Sequence, residues 1–561
     1  MRIGSLFVGL LVALGVSAWA QSPAVRQIKV LADKAPDCSS LKSIIDSVTR
    51  DCRTNDQKAI AIYNFMNLTH YHQNYPSEPG EIGALKEINV YGWCLCGGLH
   101  SVEAALWREM GWKWRYVGWS NPGHTTVEAE YDGKWHYVDV FLRYYAWKPD
   151  ATAPGGRTVA SEEDLKRDPA LITGALEFDK ARKVYYMKGN RFEMADGKAN
   201  WRAPALLVCG DEPEGIITGT KSSRLAGSPT GWNAINFDSP GYSTDVNLPT
   251  GYSLTLAWDP IKGAHWWNGR KYTPGHGCGD KDYRNCPAIG PVLEPYRQRR
   301  SFANGLLVFA PDLSNAAFLD SFVAKENVKF ANGQLMPADA AREASVTVAL
   351  QSPYILTRAT GEAQGVDSAE ISTDSGKTWK AAALADFSEE VGGKYACLLR
   401  LRFKSAVKSM RIEAIVQCNR CALPYLSPGR NRITVSVADA ADLRDGRLAI
   451  TYAYQTGSRG KSYEQLAGEG AEVARAHGAT WSTMPTVVQK VFSARDLPAT
   501  FDIDLPTPRD KLPVYPRMLF IRREVLAAGS KPAELPKDAR GPQMGANDEL
   551  KTVPSPFTVG F

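Results

Sequence analysis

The chain has 561 residues, 44% hydrophobic and 22% charged, with a formal net charge of +6. That length suits three or four domains, each able to bury its own core. A charge this mild, with no long basic run, leaves no nucleic-acid footprint, and ordinary composition excludes a fibrous or low-complexity chain.

The first twenty residues read as a secretory signal. Arg2 is the charged start, Ile3 to Val16 the apolar run, and Ala18-Trp19-Ala20 a small-x-small cleavage site. Cleavage is expected after Ala20. No cysteine follows the site, so no lipoprotein anchor is expected. No later stretch has the roughly 18 uninterrupted apolar residues of a membrane span. The expected location is periplasmic or extracellular.

Export permits disulfides among the ten cysteines. Short spacings suggest Cys38–Cys52 and Cys278–Cys286, the first loop contributing on the order of 3 kcal/mol. A Cys94–Cys96 bridge would be strained, so Cys94 is a candidate free thiol.

Two helices are expected first, Leu41 to Val48 and Asp56 to Met66, the second capped by Asn55 or Asp56. His70 and His72 follow in a polar, aromatic segment. No acidic or cysteine cluster completes a metal set, so a surface or loop role is expected for them.

The central stretch is Gly92-Trp93-Cys94-Leu95-Cys96-Gly97-Gly98-Leu99. Leu99, Val102, Leu106 and Met110 recur at spacings of three and four, which draws one buried helical stripe stopping at Gly111. Cys96 then sits at or just before the first helical turn. Unpaired backbone N–H groups and the positive end of the helix dipole favour a thiolate there. Gly97 and Gly98 would leave room for a substrate backbone. A lone cysteine in this place would more often be a buried core residue.

Downstream, His124 to Tyr131 and Lys134 to Val140 read as strands around Asp132-Gly133, a two-residue hairpin signal. In that register Tyr131 pairs with Lys134, His136 with Ala129, and Thr126 with Asp139. His124 and Asp139 become diagonal neighbours, roughly 7–8 Å apart at the backbone, within reach of an imidazole–carboxylate hydrogen bond. His136 falls on the other face. His100, four residues after Cys96, is a rival base on the same helical face. It has no evident orienting carboxylate, Glu103 being a poor one, so His124 is favoured.

Cys96 opening a helix, Arg108 and Gly111 near its end, His124 starting a strand, and Asp-Gly-Lys-Trp leading to Asp139 together resemble the transglutaminase-like superfamily, whose fold is papain-like. The run Thr54-Asn-Asp-Gln-Lys-Ala-Ile-Ala-Ile-Tyr-Asn-Phe looks like the helix preceding the core in that family. The resemblance covers about residues 35 to 145. It implies Cys96 as nucleophile, His124 as base and Asp139 as orienting carboxylate.

Beyond Trp147, Pro154-Gly155-Gly156 marks a loop, and Ser161 with Asp164 resembles a capping box opening a helix stopped by Pro169. From about 200 to 440 the pattern is mainly β. Ala205 to Cys209, Tyr252 to Trp258 and Gly305 to Ala310 are the clearest strands of its first part. His265-Trp266-Trp267 offers tryptophans for glycan or peptide stacking, or equally for packing a sandwich edge. His265, His276, Cys278 and Cys286 could hold zinc, but export favours a disulfide loop. Ser372 to Trp379 resembles an Asp-box turn, a folding device in which Asp bonds the turn backbone. Cys418-Asn-Arg-Cys421 is expected as a local or cross-strand disulfide. A helical patch is expected at Ser462 to His477.

The fold class expected is α+β: a transglutaminase-like domain followed by β-sandwich domains, one immunoglobulin-like. The expected divisions are 1–20 signal, 21–155 transglutaminase-like domain, 156–335 mainly β, 336–440 immunoglobulin-like sandwich, 441–525 further β-rich region, and 526–561 extended or disordered tail. The expected function is a secreted cysteine-dependent acyl-transfer enzyme acting on amide bonds, a peptidase, amidase or cross-linking enzyme. It would need no cofactor or metal and would act on a protein or peptide substrate, cell-wall peptide included, with glycan contact open to the β domains. The competing expectation is a non-catalytic secreted binding or scaffold protein that keeps the fold.

Overall fold

The computed structural model describes residues 24–534, leaving out 141–144, 172–175, 180–183, 188–222, 227–234, 267–301, 460–478, 506–511 and breaks of one or two residues. The segment expected as a signal, Cys209, Cys278, Cys286, His265, Trp267, His276, the strand expected at 205–209 and the helical patch expected at 462–477 lie outside the described residues. The architecture is mixed α+β with several sheets.

After a two-residue strand at Ala24–Val25 come β1 (Lys29–Ala32) and the helix α1 (Leu41–Val48), the helix at the bounds expected from sequence. Ser40 and Ser43 close a capping box at its start, and Ile44, Ile45 and Val48 form its buried face. α2 (Asn55–Thr69) runs longer than expected and is capped by Thr54, not by Asn55 or Asp56. Gln57 N–H donates to Thr54 Oγ1 and Gln57 Oε1 accepts from Thr54 N–H, both at 3.2 Å. Such a cap is worth about 1 kcal/mol. Asp56 turns inward instead, and its Oδ1 accepts Tyr131 Oη at 2.7 Å and Thr158 Oγ1 and Val159 N–H at 3.1 Å. A buried carboxylate with three donors is satisfied as a strut between helix and sheet.

Two short strands, β2 (Tyr71–His72) and β3 (Trp93–Cys94), pair in parallel just before α3 (Cys96–Glu109). Gly111 follows that helix at φ 76°, a left-handed stop that glycine adopts without strain. Then come β4 (Lys113–Ser120), β5 (Gly123–Tyr131) and β6 (Lys134–Val138). Asp132 and Gly133 both have positive φ, 51° and 72°, as a type I′ hairpin turn requires. The observed register is the expected one, Tyr131 opposite Lys134 and Ala129 opposite His136. After α4 (Glu162–Arg167), with its Ser161–Asp164 capping box, β7 (Ser223–Ala226) joins the far side of β4. The antiparallel order is β7-β4-β5-β6.

The remaining chain is a layered β structure. The strands that build its main sheets are β8 (Tyr252–Ala257), β9 (Phe302–Phe309), β10 (Ala324–Glu326), β11 (Ala344–Gln351), β12 (Ile355–Gln364), β13 (Ser368–Ser372), β14 (Lys380–Ala382), β15 (Ala396–Phe403), β16 (Ser409–Asn419), β17 (Gly429–Ser436), β18 (Arg447–Gln455), β19 (Thr486–Phe492), β20 (Ala499–Leu505) and β21 (Arg517–Leu526). Seven form one sheet in the order β12-β16-β9-β8-β21-β18-β19. Five form a second, β10-β11-β15-β13-β14. β1 pairs with β17, which also pairs with β20.

The boundaries expected at 335/336 and 440/441 therefore separate strands that share one sheet. Local alternation predicts that a segment is a strand; it carries no record of which distant strand completes the ladder. The Asp374 turn has the expected form. Asp374 Oδ1 accepts Thr378 N–H at 2.9 Å, and Trp379 Nε1 donates to Gly376 O at 3.0 Å.

Asn419, at the end of β16, ties the β layers to the helical unit. Its amide donates to Thr69 O at 2.9 Å and Ile88 O at 2.7 Å. One apolar core runs through both units, with Trp93, Trp107 and Trp258 fully buried in it. Trp266 is buried too, against Gly392 and Gly393, so it packs a sheet edge rather than offering a stacking surface.

All seven described cysteines are thiols. The disulfides expected for Cys38–Cys52 and Cys418–Cys421 are absent. Cys52 Sγ donates to Gln57 O at 3.5 Å, and Cys38 is buried. Spacing in sequence set the expectation, but the buried thiols pack as small apolar groups.

Candidate active site around Cys96

α3 starts at Cys96 with no side chain capping it; Leu95 stands at the cap position. Cys96 is half-buried and Cys94 fully buried. Burial, aided by the negative charge of Glu87, pushes the Cys94 thiol well above the ordinary thiol value. Cys94 is thus a protonated packing group, while Cys96 is the thiol that reaches a surface.

Gly98 serves that packing. A Cβ there would stand 1.9 Å from Cys94 Sγ and 3.1 Å from Tyr75 Cε1. The expectation that Gly98 leaves room for a substrate backbone is corrected: the space is filled by the neighbouring thiol and a tyrosine ring. Tyr75 lies near both Cys94 and Cys96, and burial with those sulfur charges pushes its phenol up.

His100 is one turn along the helix. Its Nδ1 is 2.7 Å from Cys96 O, and its Nε2 is 3.4 Å from Asp139 Oδ1. Both side chains are fully buried. Tyr137 Oη donates to Asp139 Oδ2 at 2.7 Å. The expectation that His100 lacks an orienting carboxylate is therefore corrected; Asp139 stands beside it. Sequence separation hid this pairing, because Asp139 follows β6, the third element downstream of the helix.

His124 belongs to β5, opposite Trp119 of β4. Its side chain lies outside the described residues. The ladder that sets its parity runs from Val127–Val138 to Tyr131–Lys134, in the expected register. His136 is a structural residue. It stacks on Tyr131 with ring centroids 3.6 Å apart, and its Nδ1 lies 2.7 Å from Val159 O. Burial lowers its basicity.

Glu103 is the residue that sequence reasoning undervalued. It is fully buried, and neither carboxyl oxygen has a hydrogen-bond partner. Burial, reinforced by the charge of Asp139, pushes its carboxyl well above the usual range. Cys96, His100 and Glu103 are four and three residues apart, so a stripe along α3 was legible as spacing. That the stripe meets Asp139 was not.

His70 also departs from expectation. It is buried, with Nε2 on Glu87 Oε2 and Nδ1 2.7 Å from Thr69 Oγ1. Its place just after α2 reads as loop in sequence, but the π-helical turn Glu87–Tyr91 brings a carboxylate to it.

Among the described residues, no group of three or more His, Cys, Asp or Glu side chains is arranged to hold a metal ion. No helix among them is long and apolar enough to cross a membrane. Comparison of the chain with family models, curated proteins and solved structures found no match.

Proposed function

We propose that the chain is an exported, cysteine-dependent acyl-transfer enzyme of transglutaminase-like fold, acting on amide bonds through Cys96. One observation carries the reading: a half-exposed cysteine opens an uncapped helix whose next turn reaches a buried, hydrogen-bonded carboxylate, Asp139. A structural cysteine needs neither the open helix end nor the carboxylate.

In this reading His124 takes the Cys96 proton, with Asp139 holding its ring. The thiolate attacks the amide carbonyl carbon, and the oxyanion is met by N–H groups of the first α3 turn, which have no intrahelical acceptor. The C–N bond breaks, the amine leaves with the proton from His124, and a thioester remains on Cys96. Water resolves it in a hydrolase; a lysine amine resolves it in a cross-linking enzyme. His100 acts as a positioning residue between the Cys96 turn and Asp139.

A second reading makes His100 the base, and the 3.4 Å approach to Asp139 favours it. Against it, Nδ1 is held on the Cys96 carbonyl oxygen, and Nε2, the other nitrogen, is turned toward Asp139.

Acylation by p-nitrophenyl acetate tests the function without a known substrate. A burst of p-nitrophenol equal to the enzyme is expected, with an acetyl thioester mapped to Cys96 by mass spectrometry. The Cys96→Ala variant should show none. A burst that survives this substitution, or no burst in the wild type, contradicts the proposal.

A further inference from the structure

A second site stands apart from Cys96 and rests on none of the preceding chemistry. A cavity of about 420 Å³ lies between the β1 segment, the chain around Tyr242 to Val246, the chain around Leu423, and β21. Arg523 of β21 lines it and is 5% exposed. Its strand neighbours are Leu254 and Ile450, so its guanidinium enters the apolar core face of the seven-stranded sheet. Nε and Nη1 have no hydrogen-bond partner, and no carboxylate pairs with Arg523 among the described residues. The titratable groups that act on it are Tyr354, Tyr452 and Cys418, which burial keeps neutral at neutral pH.

Arg522, on the opposite face, has an anionic partner of the kind Arg523 lacks among the described residues, although its Nε too makes no hydrogen bond. Its Nη2 lies 2.8 Å from Ala533 O and 3.4 Å from Glu524 Oε2. A guanidinium cannot shed its proton, so a buried one must find an anion or carry an uncompensated charge. A second donor faces the same cavity unpartnered, the buried hydroxyl of Tyr242. The cavity's other cation is already used: Lys29 Nζ lies 2.8 Å from Asp37 Oδ2 and 2.9 Å from Ser39 Oγ.

We propose that this cavity binds a small organic carboxylate, its two oxygens on the Arg523 fork and the Tyr242 hydroxyl, and its apolar body against Ile28, Val246 and Leu423. The planar guanidinium matches a carboxylate in bidentate geometry. Phosphate fits less well, because Asp37 and Asp245 also line the walls and would repel a doubly charged ion. The volume falls within the range of small-molecule pockets, roughly 300–1,000 Å³, and is far larger than one oxyanion needs.

Calorimetric titration and thermal unfolding of the full mature chain test this, in buffer free of other carboxylates. The probes are benzoate, butyrate, inorganic phosphate and the neutral benzamide. Saturable binding of benzoate or butyrate is expected, with a raised unfolding temperature, and no response to benzamide. Arg523→Met should lose the response without a lower unfolding temperature in the absence of ligand, since an unpaired buried charge has been removed. Arg523→Lys and Tyr242→Phe should each weaken binding about tenfold or more. These two decide the matter if Arg523→Met does not fold. No saturable carboxylate binding to the wild type, tighter binding of phosphate than of either carboxylate, or unchanged affinity in the Lys and Phe variants would overturn the proposal.

Discussion

His100 Nε2 stands 3.4 Å from Asp139 Oδ1, with both side chains sealed from solvent, while His100 Nδ1 lies 2.7 Å from the carbonyl oxygen of Cys96. One imidazole thus joins the turn that carries the thiol to the carboxylate that ends β6. Tyr137 holds the other carboxylate oxygen. Tyr137 thus anchors Asp139 by a hydrogen bond, and His100 stands within ion-pair distance of the other oxygen.

Tyr137→Phe should destabilise the chain by about 1.5–3 kcal/mol, because it removes a buried hydrogen bond to a charged acceptor and leaves that oxygen short of a donor. Urea denaturation checks the loss. If Asp139 is also the orienting group, the same variant should slow thiol alkylation of Cys96 without abolishing it. An unchanged midpoint would mean that water replaces the phenol, and that Asp139 is less enclosed than its burial indicates.

Glu103 gives the account a pH dependence. Burial and the Asp139 charge raise its carboxyl well above 4.5, so the folded chain holds this proton more tightly than the unfolded chain does. Its contribution to stability is therefore full below about pH 4.5 and is lost as pH rises toward the folded value. The loss is about 1.4 kcal/mol for each unit separating the two values. Glu103→Gln cannot titrate, so its stability relative to wild type should improve steadily from pH 4 to pH 8 in urea denaturation. A difference that stays constant across that range would show that Glu103 does not carry this proton.

Gly98→Ala should be among the costliest small substitutions in α3. The new methyl meets Cys94 Sγ at 1.9 Å and Cys94 Cβ at 2.9 Å, both on packed, buried groups. Overpacking of this kind typically costs 1–3 kcal/mol, occasionally more. Combining it with Cys94→Ala should recover part of the loss, because the sulfur is the nearer obstacle. A double-mutant cycle reads this coupling. Strict additivity would place the two groups farther apart than the packing indicates.

The hairpin at Asp132-Gly133, the cap at Ser161 and the helix opening at Cys96 were legible because each is set by residues adjacent in sequence. Thr54 was missed as a cap because Asp56 is an equally good capping residue type, and only the fold shows that Asp56 is needed inside. His70 read as loop because its partner Glu87 lies on another element. The same limit hid the His100–Asp139 approach, the lone guanidinium of Arg523 and the joining of strands from 252 to 526 in one sheet. Periodicity reports which face of an element is apolar. It does not report what that face meets.

The pH–rate profile of iodoacetamide alkylation separates a triad thiolate from an ordinary thiol, for the wild type and for His124→Ala, Asp139→Asn and His100→Ala, with the labelled site mapped by mass spectrometry. A free cysteine titrates near 8.5, and a helix N-terminus with an imidazolium partner can lower this by units. Cys96 should be the fastest thiol to react and should remain fast at about pH 6. His124→Ala should remove the acid-side reactivity, Asp139→Asn should weaken it, and His100→Ala should leave most of it, since His100 positions Asp139 without taking the proton. A wild-type Cys96 that reacts like an ordinary thiol would contradict the enzyme reading. A loss confined to His100→Ala would contradict the assignment of His124 and make His100 the base.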